Sequence, residues 1–184
     1  MYALLGATLK HSLSPAIHKL IFRELGISGE YLLLERKPEE LKEAIVGRQY
    51  QGFNVTIPYK QEVMQYLDEI SPEATQIGVV NTIKYTADKI VGYNTDYLGF
   101  GNMLEANGIA VQGKRVVVLG LGGSTKTVVS YMLNNQAQDI YVVSRTADNK
   151  QSLPGTTLIS YEQLAALDSL DIVVNTTPCL ACGQ

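Results

Sequence analysis

The chain has 184 residues, of which 46% are hydrophobic and 18% are charged. That composition can bury a sizeable core and excludes an intrinsically disordered chain. The chain has 15 Lys and Arg residues and 18 Asp and Glu residues, which gives a net charge of −3. This charge gives no general indication of binding to nucleic acid or to an anionic membrane. Both cysteines fall near the end of the chain, which excludes a disulfide framework and indicates a reducing compartment.

The apolar runs of the sequence are short. They are strand-sized, far below the ~20 residues that a membrane-spanning helix needs. No signal peptide is expected at the start, because Gly6, Lys10 and His11 interrupt any apolar run there. We therefore expect a cytoplasmic α/β protein with no membrane or nucleic-acid partner.

In the first part of the chain, predicted strands alternate with predicted helices. We expect strands at residues 2–6, 30–35 and 52–56, and helices at residues 14–25, 38–46, 58–67 and from 71 onward. Residues 79–85 and 89–93 are rich in β-branched and aromatic side chains, and they predict a hairpin.

The first predicted helix has a clear start signal. Ser14 is expected to be its N-cap, and Pro15 stands in the first turn, where a missing N–H costs nothing. His18 is interpreted as a packing residue. Four apolar side chains recur at helical spacing and predict one buried face, namely Ile17, Leu20, Ile21 and Leu25.

A second α/β pattern follows. We expect helices at residues 97–107, 123–135 and 161–167, and strands at residues 115–119, 139–144, 157–159 and 171–175. A polar connection at residues 111–114 lies between the two patterns. The sequence therefore predicts two domains, residues 1–98 and residues 99–184.

A glycine-rich turn joins the strand at residues 115–119 to the next helix. Gly120 permits a tight turn, and Gly122 lets the backbone approach a pyrophosphate at the N-terminus of the helix. Thr125 stands where the G-x-G-x-x-G pattern has its third glycine. The strand–turn–helix context favours a dinucleotide site over a plain turn.

The end of the following strand predicts which dinucleotide is bound. Sites for NAD place Asp or Glu there, to accept a hydrogen bond from the ribose 2′-hydroxyl. This chain instead has Ser144, Arg145 and Thr146. Because Arg145 can pair with a 2′-phosphate and both hydroxyls can donate to it, the sequence favours NADP.

Four polar clusters in the first unit are hard to explain by packing alone. They contain Ser12 with Ser14, Asn54 with Thr56 and Lys60, Asn81, and residues 94–96. Lys60 is expected in the first turn of the helix at residues 58–67, where the helix dipole prefers an acid. Together the clusters favour one shared polyol-like ligand.

These motifs resemble those of the shikimate dehydrogenase family, in the same order and at the same spacings. The resemblance runs from residue 2 to about residue 178 and rests on residues 12–15, 54–60, 78–82, 94–96, 120–124, 144–146 and 175–178. It implies an N-terminal α/β substrate domain followed by a Rossmann-type NADP-binding domain. It also implies NADPH-dependent reduction of 3-dehydroshikimate to shikimate, in aromatic amino acid biosynthesis.

The resemblance carries roles over to single residues of this chain. Lys60 and Asp96 would be the catalytic acid–base pair, with the proton assigned to neither alone. The residues implied to bind the substrate are Ser12, Ser14, Asn54, Thr56, Asn81 and Asp96. Those implied to bind the cofactor are Gly120, Leu121, Gly122, Gly123 and Ser124 at the pyrophosphate, Ser144, Arg145 and Thr146 at the 2′-phosphate, and Thr177 near the nicotinamide ribose.

The C-terminal part departs from the family pattern. Family members continue with further strands and helices, so we expect the nucleotide-binding domain to be incomplete. After residues 175–178 the family usually continues with a glycine and a methionine, which residues 179–182 of this chain do not match. Cys179 and Cys182 have the spacing of a metal-ligand pair, but the sequence has no second pair to complete a site.

Three interpretations remain open from the sequence: an NADP-dependent shikimate dehydrogenase, a quinate/shikimate relative with relaxed cofactor choice, and an inactive, truncated shikimate-binding fragment. Each takes a small-molecule ligand. Because the family includes both monomers and homodimers, either assembly is compatible with the resemblance.

Overall fold

The computed structural model describes residues 1–147 and 150–177. The chain divides into two compact units, Met1–Thr95 and Asp96–Gln184. Each unit has its own sheet. Within the described part of the chain, no helix combines the length and the apolar character needed to cross a membrane.

The first unit contains a six-stranded mixed sheet. Its strands are β1 (Tyr2–Gly6), β2 (Tyr31–Glu35), β3 (Gly52–Val55), β4 (Glu69–Ile70), β5 (Thr82–Tyr85) and β6 (Ile90–Tyr93). Their order is β2-β1-β3-β5-β6-β4. The strands β2, β1 and β3 are parallel, whereas β5 is antiparallel to both β3 and β6. The predicted hairpin is the β5–β6 pair.

Short helices connect these strands. They are α1 (Ser14–Glu24), α2 (Leu41–Val46) and α3 (Pro72–Ile77), with 3-10 turns at Pro38–Glu40 and Glu62–Tyr66. Ser71 caps α3 by accepting the N–H of Ala74, and Gly78 ends the helix at a φ of 71°. Leu5, Leu41, Ile45, Val63 and Ile83 are fully or almost fully buried in the core of this unit.

Two expectations for α1 are wrong. Its N-cap is Leu13, and Ser14 is the first helical residue, because the N–H of Ser14 already bonds the side chain of Ser12. The predicted buried face is open, since Ile17 and Leu25 are 51% and 66% exposed. The helix packs on the sheet through other side chains, including Phe22, whose ring contacts Tyr2.

The predicted helix at residues 58–67 is also wrong. Residues 57–61 form turns, and only Glu62–Tyr66 adopts a 3-10 conformation. The carbonyl of Lys60 accepts the N–H of Val80 at 2.8 Å, so the backbone there bonds to another segment of the unit. Lys60 therefore does not lie in the first turn of a helix, and the argument from the helix dipole does not apply to it.

The second unit is a parallel α/β layer. Its strands are β7 (Arg115–Leu119), β8 (Asp139–Val143), β9 (Thr157–Ile159) and β10 (Ile172–Asn175). Its helices are α4 (Thr95–Ala106), which starts at the last residue of the first unit, α5 (Gly123–Asn134) and α6 (Tyr161–Leu164). All pairings are parallel, in the order β10-β7-β8-β9.

This strand order matches the first four strands of the dinucleotide-binding fold. That fold has the order 3-2-1-4-5-6, and β9, β8, β7 and β10 take places 3, 2, 1 and 4. The order reverses between β7 and β10, so the crevice where such folds bind ligands lies at the carboxyl ends of these two strands. The predicted fold class is confirmed.

Candidate active site

In the first unit, the two serines of the first polar cluster bond to each other. The Ser12 hydroxyl accepts the N–H of Ser14 and donates to its hydroxyl, both at 3.2 Å. Both residues are half-buried, at the junction between β1 and α1. The Ser12 side chain thus orients the Ser14 hydroxyl.

Tyr31 joins this junction to β3. Its hydroxyl donates to Asn54 Oδ1 at 2.7 Å, across the central strand β1. Tyr31 pairs with Tyr2 and Asn54 pairs with Leu4, two positions along, so both side chains lie on one face of the sheet. Burial raises the pKa of Tyr31 to about 12, an effect that a hydrogen bond with Ser14 partly opposes. The phenol therefore remains a hydrogen-bond donor at neutral pH.

His18 packs on Tyr31. The two rings stack with centroids 3.7 Å apart and an interplanar angle of 13°. The Nδ1 atom of His18 lies 2.9 Å from the carbonyl oxygen of Ser14. His18 thus acts as the packing residue that the sequence indicated, and it fixes the position of the phenol.

From Asn54, hydrogen bonds lead through Thr82 to Asn81 and Thr95. Its Nδ2 donates to the Thr82 hydroxyl at 3.3 Å, and that hydroxyl donates to Asn81 Oδ1 at 3.0 Å. Asn81 Oδ1 also accepts the backbone N–H of Thr95 at 2.9 Å, and Asn81 Nδ2 donates to the Thr95 hydroxyl at 3.1 Å. We call Ser12, Ser14, Tyr31, Asn54, Thr82, Asn81 and Thr95 the polar network.

Thr56, Lys60 and Asp96 are placed differently. Thr56 follows β3 and donates its N–H to the carbonyl of Leu5 at 2.9 Å, and among residues 1–147 and 150–177 no side-chain hydrogen bond joins it to the polar network. Lys60 is half-buried. Asp96 is the second residue of α4, where a carboxylate is favoured by the helix dipole.

Sequence reasoning missed Tyr31 as a member of the network. A signal was present in the pattern, because Tyr31 opens the strand that runs beside β1 and Asn54 lies in the strand on its other side. The contact between Tyr31 and Asn54 depends on how β2, β1 and β3 pair in the sheet, and the sequence of β2 alone does not show that pairing.

In the second unit, Gly120 makes the turn at the end of β7. Its φ is 105°, which is accessible to glycine, and an added Cβ would lie 3.0 Å from the Thr176 hydroxyl. Leu121 packs on the core of the unit. A glycine at position 120 therefore allows the backbone conformation of the turn and also lets the turn lie close to the segment after β10.

The N-terminus of α5 fits a bound pyrophosphate. An added Cβ on Gly122 would meet nothing within 4 Å, so open space lies beside the turn. Gly123 and Ser124 belong to the first turn of the helix, where N–H groups have no partner inside the helix. These groups and the helix dipole form an anion-binding geometry.

The segment after β8 has the chemistry of a 2′-phosphate site. Ser144 donates its N–H to Ile159 and accepts the N–H of Thr146 on its hydroxyl at 3.2 Å. Arg145 is exposed between them. After β10, Thr177 donates its N–H and its hydroxyl to Asn175 Oδ1, at 2.9 Å and 2.6 Å. The residues present therefore fit NADP.

A metal site was not expected from the sequence. In residues 1–147 and 150–177, His, Cys, Asp and Glu form no group of three or more that could hold a metal ion. Pro178, Cys179 and Cys182 lie outside the described residues, so the predictions made for them stay predictions.

Known proteins match both units of the chain. The model of the shikimate dehydrogenase substrate binding domain matches residues 4–83, and that of shikimate / quinate 5-dehydrogenase matches residues 103–179. A curated protein of Clostridium beijerinckii named shikimate dehydrogenase (NADP(+)) is 45% identical, over 96% of this chain and 67% of its own length.

Solved structures agree with these matches. Shikimate dehydrogenase 1 from Peptoclostridium difficile superposes with a TM-score of 0.88 at 42% identity, covering 96% of this chain and 67% of that one. Shikimate 5-dehydrogenase from Thermus thermophilus, in complex with NADP(H) and shikimate, superposes with a TM-score of 0.81 at 33% identity, covering 96% of this chain and 67% of that one. The chain thus spans about two thirds of the length of these relatives. It belongs to the shikimate dehydrogenase family.

Proposed function

We propose that the chain carries the substrate-binding and dinucleotide-binding parts of an NADP-dependent shikimate dehydrogenase, which reduces 3-dehydroshikimate to shikimate. The observation that carries the proposal is the polar network, whose side-chain hydrogen bonds join five separate segments of the first unit. The Thermus relative that binds NADP(H) and shikimate supports it. Low cysteine content favours a cytoplasmic location.

The polar network supplies the groups that a small hydroxylated acid needs. The Ser14 hydroxyl, which Ser12 orients, donates to the substrate carboxylate. Asn54 and Asn81 each carry two amide protons, of which one is donated inside the network, and the second serves the ring hydroxyls. Thr56, at the end of β3, adds a further hydroxyl.

Lys60 and Asp96 act as the acid–base pair. When bound, NADPH supplies the hydride that reduces the carbonyl carbon. The developing oxyanion must receive a proton, and the Lys60 ammonium stabilises that charge. Asp96 is the second member of the proposed pair, and the proton is assigned to neither residue alone. Gly123 and Ser124 hold the pyrophosphate of the cofactor, Arg145 with Ser144 and Thr146 holds its 2′-phosphate, and Thr177 lies on the nicotinamide side.

Two measurements on the chain test the proposal. Calorimetric titration with shikimate and with NADP+ measures binding, and absorbance of NADPH measures the oxidation of shikimate. We expect both ligands to bind and shikimate to be oxidised, and Lys84→Ala, an exposed substitution in β5 of the same unit, to match the unaltered chain. Binding of shikimate without turnover supports the inactive-fragment alternative, and absence of shikimate binding contradicts the proposal.

A second candidate function is favoured by the family model of the second unit, whose description includes quinate as well as shikimate. Such an enzyme would oxidise quinate and would accept NAD+. Kinetics with both substrates and both cofactors separate the candidates. Comparable kcat/KM values for quinate and shikimate would support the second one.

A further inference from the structure

The residue at the third glycine position of the dinucleotide pattern is fully buried. Thr125 has no exposed surface, and its Oγ1 accepts the backbone N–H of Gly122 at 2.9 Å. In the turn of the G-x-G-x-x-G pattern, the second glycine is the point where the backbone approaches the pyrophosphate. Here the N–H of that glycine is already occupied by a side chain of the same helix.

A second hydroxyl continues this bond. Thr125 Oγ1 and Thr176 Oγ1 are 2.8 Å apart, and Thr176 Oγ1 donates to the carbonyl of Leu119 at 2.7 Å. A hydroxyl has one proton to donate. Since the carbonyl can only accept, the proton of Thr176 goes to Leu119, and Thr125 must donate to Thr176.

The direction of the whole chain of hydrogen bonds is therefore fixed. It runs from the N–H of Gly122 through Thr125 and Thr176 to the carbonyl of Leu119. The same carbonyl accepts the backbone N–H of Thr176 at 2.9 Å, so both of its lone pairs are used. We call this sequence of bonds the hydroxyl relay.

The hydroxyl relay connects three elements that meet at the carboxyl edge of the parallel sheet. Leu119 ends β7, Thr125 lies in the first turn of α5, and Thr176 directly follows β10. Gly120 lies inside this arrangement, since a Cβ there would be 3.0 Å from the Thr176 hydroxyl. The glycine-rich turn is thus held on its inner side by two threonine side chains.

We propose that Thr125 and Thr176 are positioning residues of the dinucleotide turn. Their hydroxyls hold the N–H of Gly122 inward, and the pyrophosphate of NADP is bound by the N–H groups of Gly123 and Ser124. The inference rests on the proposed cofactor and deepens it. Thr125, at the third glycine position, then stabilises the turn, because its hydroxyl forms a hydrogen bond where a glycine would allow close backbone packing.

Matched variants test the relay. Thr125→Val keeps the shape and removes the hydroxyl, Thr125→Ser keeps the hydroxyl, and Thr176→Val removes the next link. Thr127→Val is the control, because Thr127 is buried in the same helix, at 2% exposure, and lies outside the relay. For each variant, calorimetry measures the Kd of NADP+ and of shikimate, and urea denaturation measures stability.

We expect Thr125→Val to weaken NADP+ binding by about tenfold or more, which corresponds to about 1.4 kcal/mol. Thr176→Val should weaken it less, and Thr125→Ser should restore affinity to within about threefold of the unaltered chain, because the hydrogen bond is kept. The Kd of shikimate should not change. Unchanged NADP+ affinity in Thr125→Val, or an equal loss in Thr127→Val, would overturn the proposal.

Nuclear magnetic resonance separates this proposal from the proposed function. Exchange of the Gly122 amide hydrogen should be slow in the unaltered chain and about tenfold faster in Thr125→Val, since its acceptor is removed. Added NADP+ should shift the amide signals of Gly123 and Ser124 more than that of Gly122. The largest shift at Gly122 would overturn the assignment of the pyrophosphate contacts.

If the unaltered chain binds no NADP+, the cofactor part of the proposed function fails, and the pyrophosphate contacts fail with it. The exchange rates of Gly122 still decide the relay in that case. A rate equal in Thr125→Val and the unaltered chain would overturn it. If Thr125→Val does not fold, Thr176→Val, which removes the next link, is compared with Thr125→Ser, which keeps every link. Equal NADP+ affinity in these two variants would then overturn the relay.

Discussion

Tyr31→Phe removes one hydroxyl from the middle of the polar network. The ring keeps its stacking on His18, because only the oxygen is lost. Asn54 Oδ1 then loses a donor at 2.7 Å, and its amide is held by the bond to Thr82 at 3.3 Å alone. The substitution therefore tests whether the network orients Asn54 for a ligand.

The magnitude follows from the bonds that change. A buried hydrogen bond contributes about 0.5–1.5 kcal/mol net, and an acceptor left without a partner costs about 1–3 kcal/mol. Asn54 is only half-buried, so water can reach part of the amide, and we expect a loss of stability of about 1 kcal/mol. We expect the Kd of shikimate to rise about three- to tenfold, since the freed amide can rotate away from the ligand.

Tyr85→Phe is the matched control. Tyr85 lies in the same unit, and its hydroxyl donates to the carbonyl of Ile45 at 2.6 Å, outside the polar network. Its loss should lower stability by a similar amount, about 1 kcal/mol, without changing the Kd of shikimate. Urea denaturation and calorimetry on both variants give the comparison. Equal shikimate affinity in Tyr31→Phe and Tyr85→Phe would refute the reasoning.

Four further predictions concern catalysis, cofactor choice, packing and pH. Lys60→Ala should lower kcat for shikimate oxidation by at least ~100-fold with a smaller change in KM, as for loss of an acid–base group, and an unchanged kcat would remove Lys60 from catalysis. Arg145→Ala should raise the Kd of NADP+ about tenfold or more while that of NAD+ stays constant, because a charge-assisted hydrogen bond contributes about 1.5–3 kcal/mol; equal losses for both cofactors would contradict this role. Gly101→Ala should destabilise the second unit by about 1–3 kcal/mol, since the new methyl group would overlap the ring of Tyr131, whereas Gly99→Ala, with nothing within 4 Å, should stabilise α4 by up to about 1 kcal/mol. Burial raises the pKa of Tyr31 and Tyr85 from 10.0 to about 12, so their contribution to stability is present below pH 10.0 and is lost as the pH rises toward 12. In urea denaturation between these pH values, the free energy of unfolding should fall less steeply with pH in the double Phe variant than in the unaltered chain; equal slopes would contradict this.

The sequence predicted the nucleotide-binding half well, because its signals are local. The strand at residues 115–119, the glycines after it and the helix that follows are all read from neighbouring positions, and the structure has them as β7, a turn and α5. Arg145 is placed at the end of the next strand by the same local pattern. Because strands alternate with helices in this half, a parallel sheet is expected, and all strand pairings of the second unit are parallel.

The first half was predicted less well, because its errors depend on distant segments. The helix expected at residues 58–67 does not form at its start, where the carbonyl of Lys60 accepts the N–H of Val80, twenty residues further along the chain. The face of α1 that contains Ile17 and Leu25 has helical spacing, yet the described residues cover it only in part. Periodicity shows that a face is apolar and does not show what lies against it.

The hydroxyl relay could not be predicted for a similar reason. Thr125 and Thr176 are 51 residues apart in sequence, and their contact requires β10 to pair with β7. The sequence did show that Thr125 departs from the glycine pattern. Its partner becomes visible only when the strand order is known.

The side-chain amide signals of Asn54 and Asn81 test the central claim most directly. Two-dimensional ¹H–¹⁵N spectra of the chain, recorded while shikimate is added, report on both groups at once. Asn107, which follows α4 and donates its side-chain amide to the carbonyl of Met103, is the internal reference. Shikimate that binds at the polar network should shift the signals of Asn54 and Asn81 along one saturating curve and leave that of Asn107 in place. Saturable binding that leaves both signals unmoved would contradict the account.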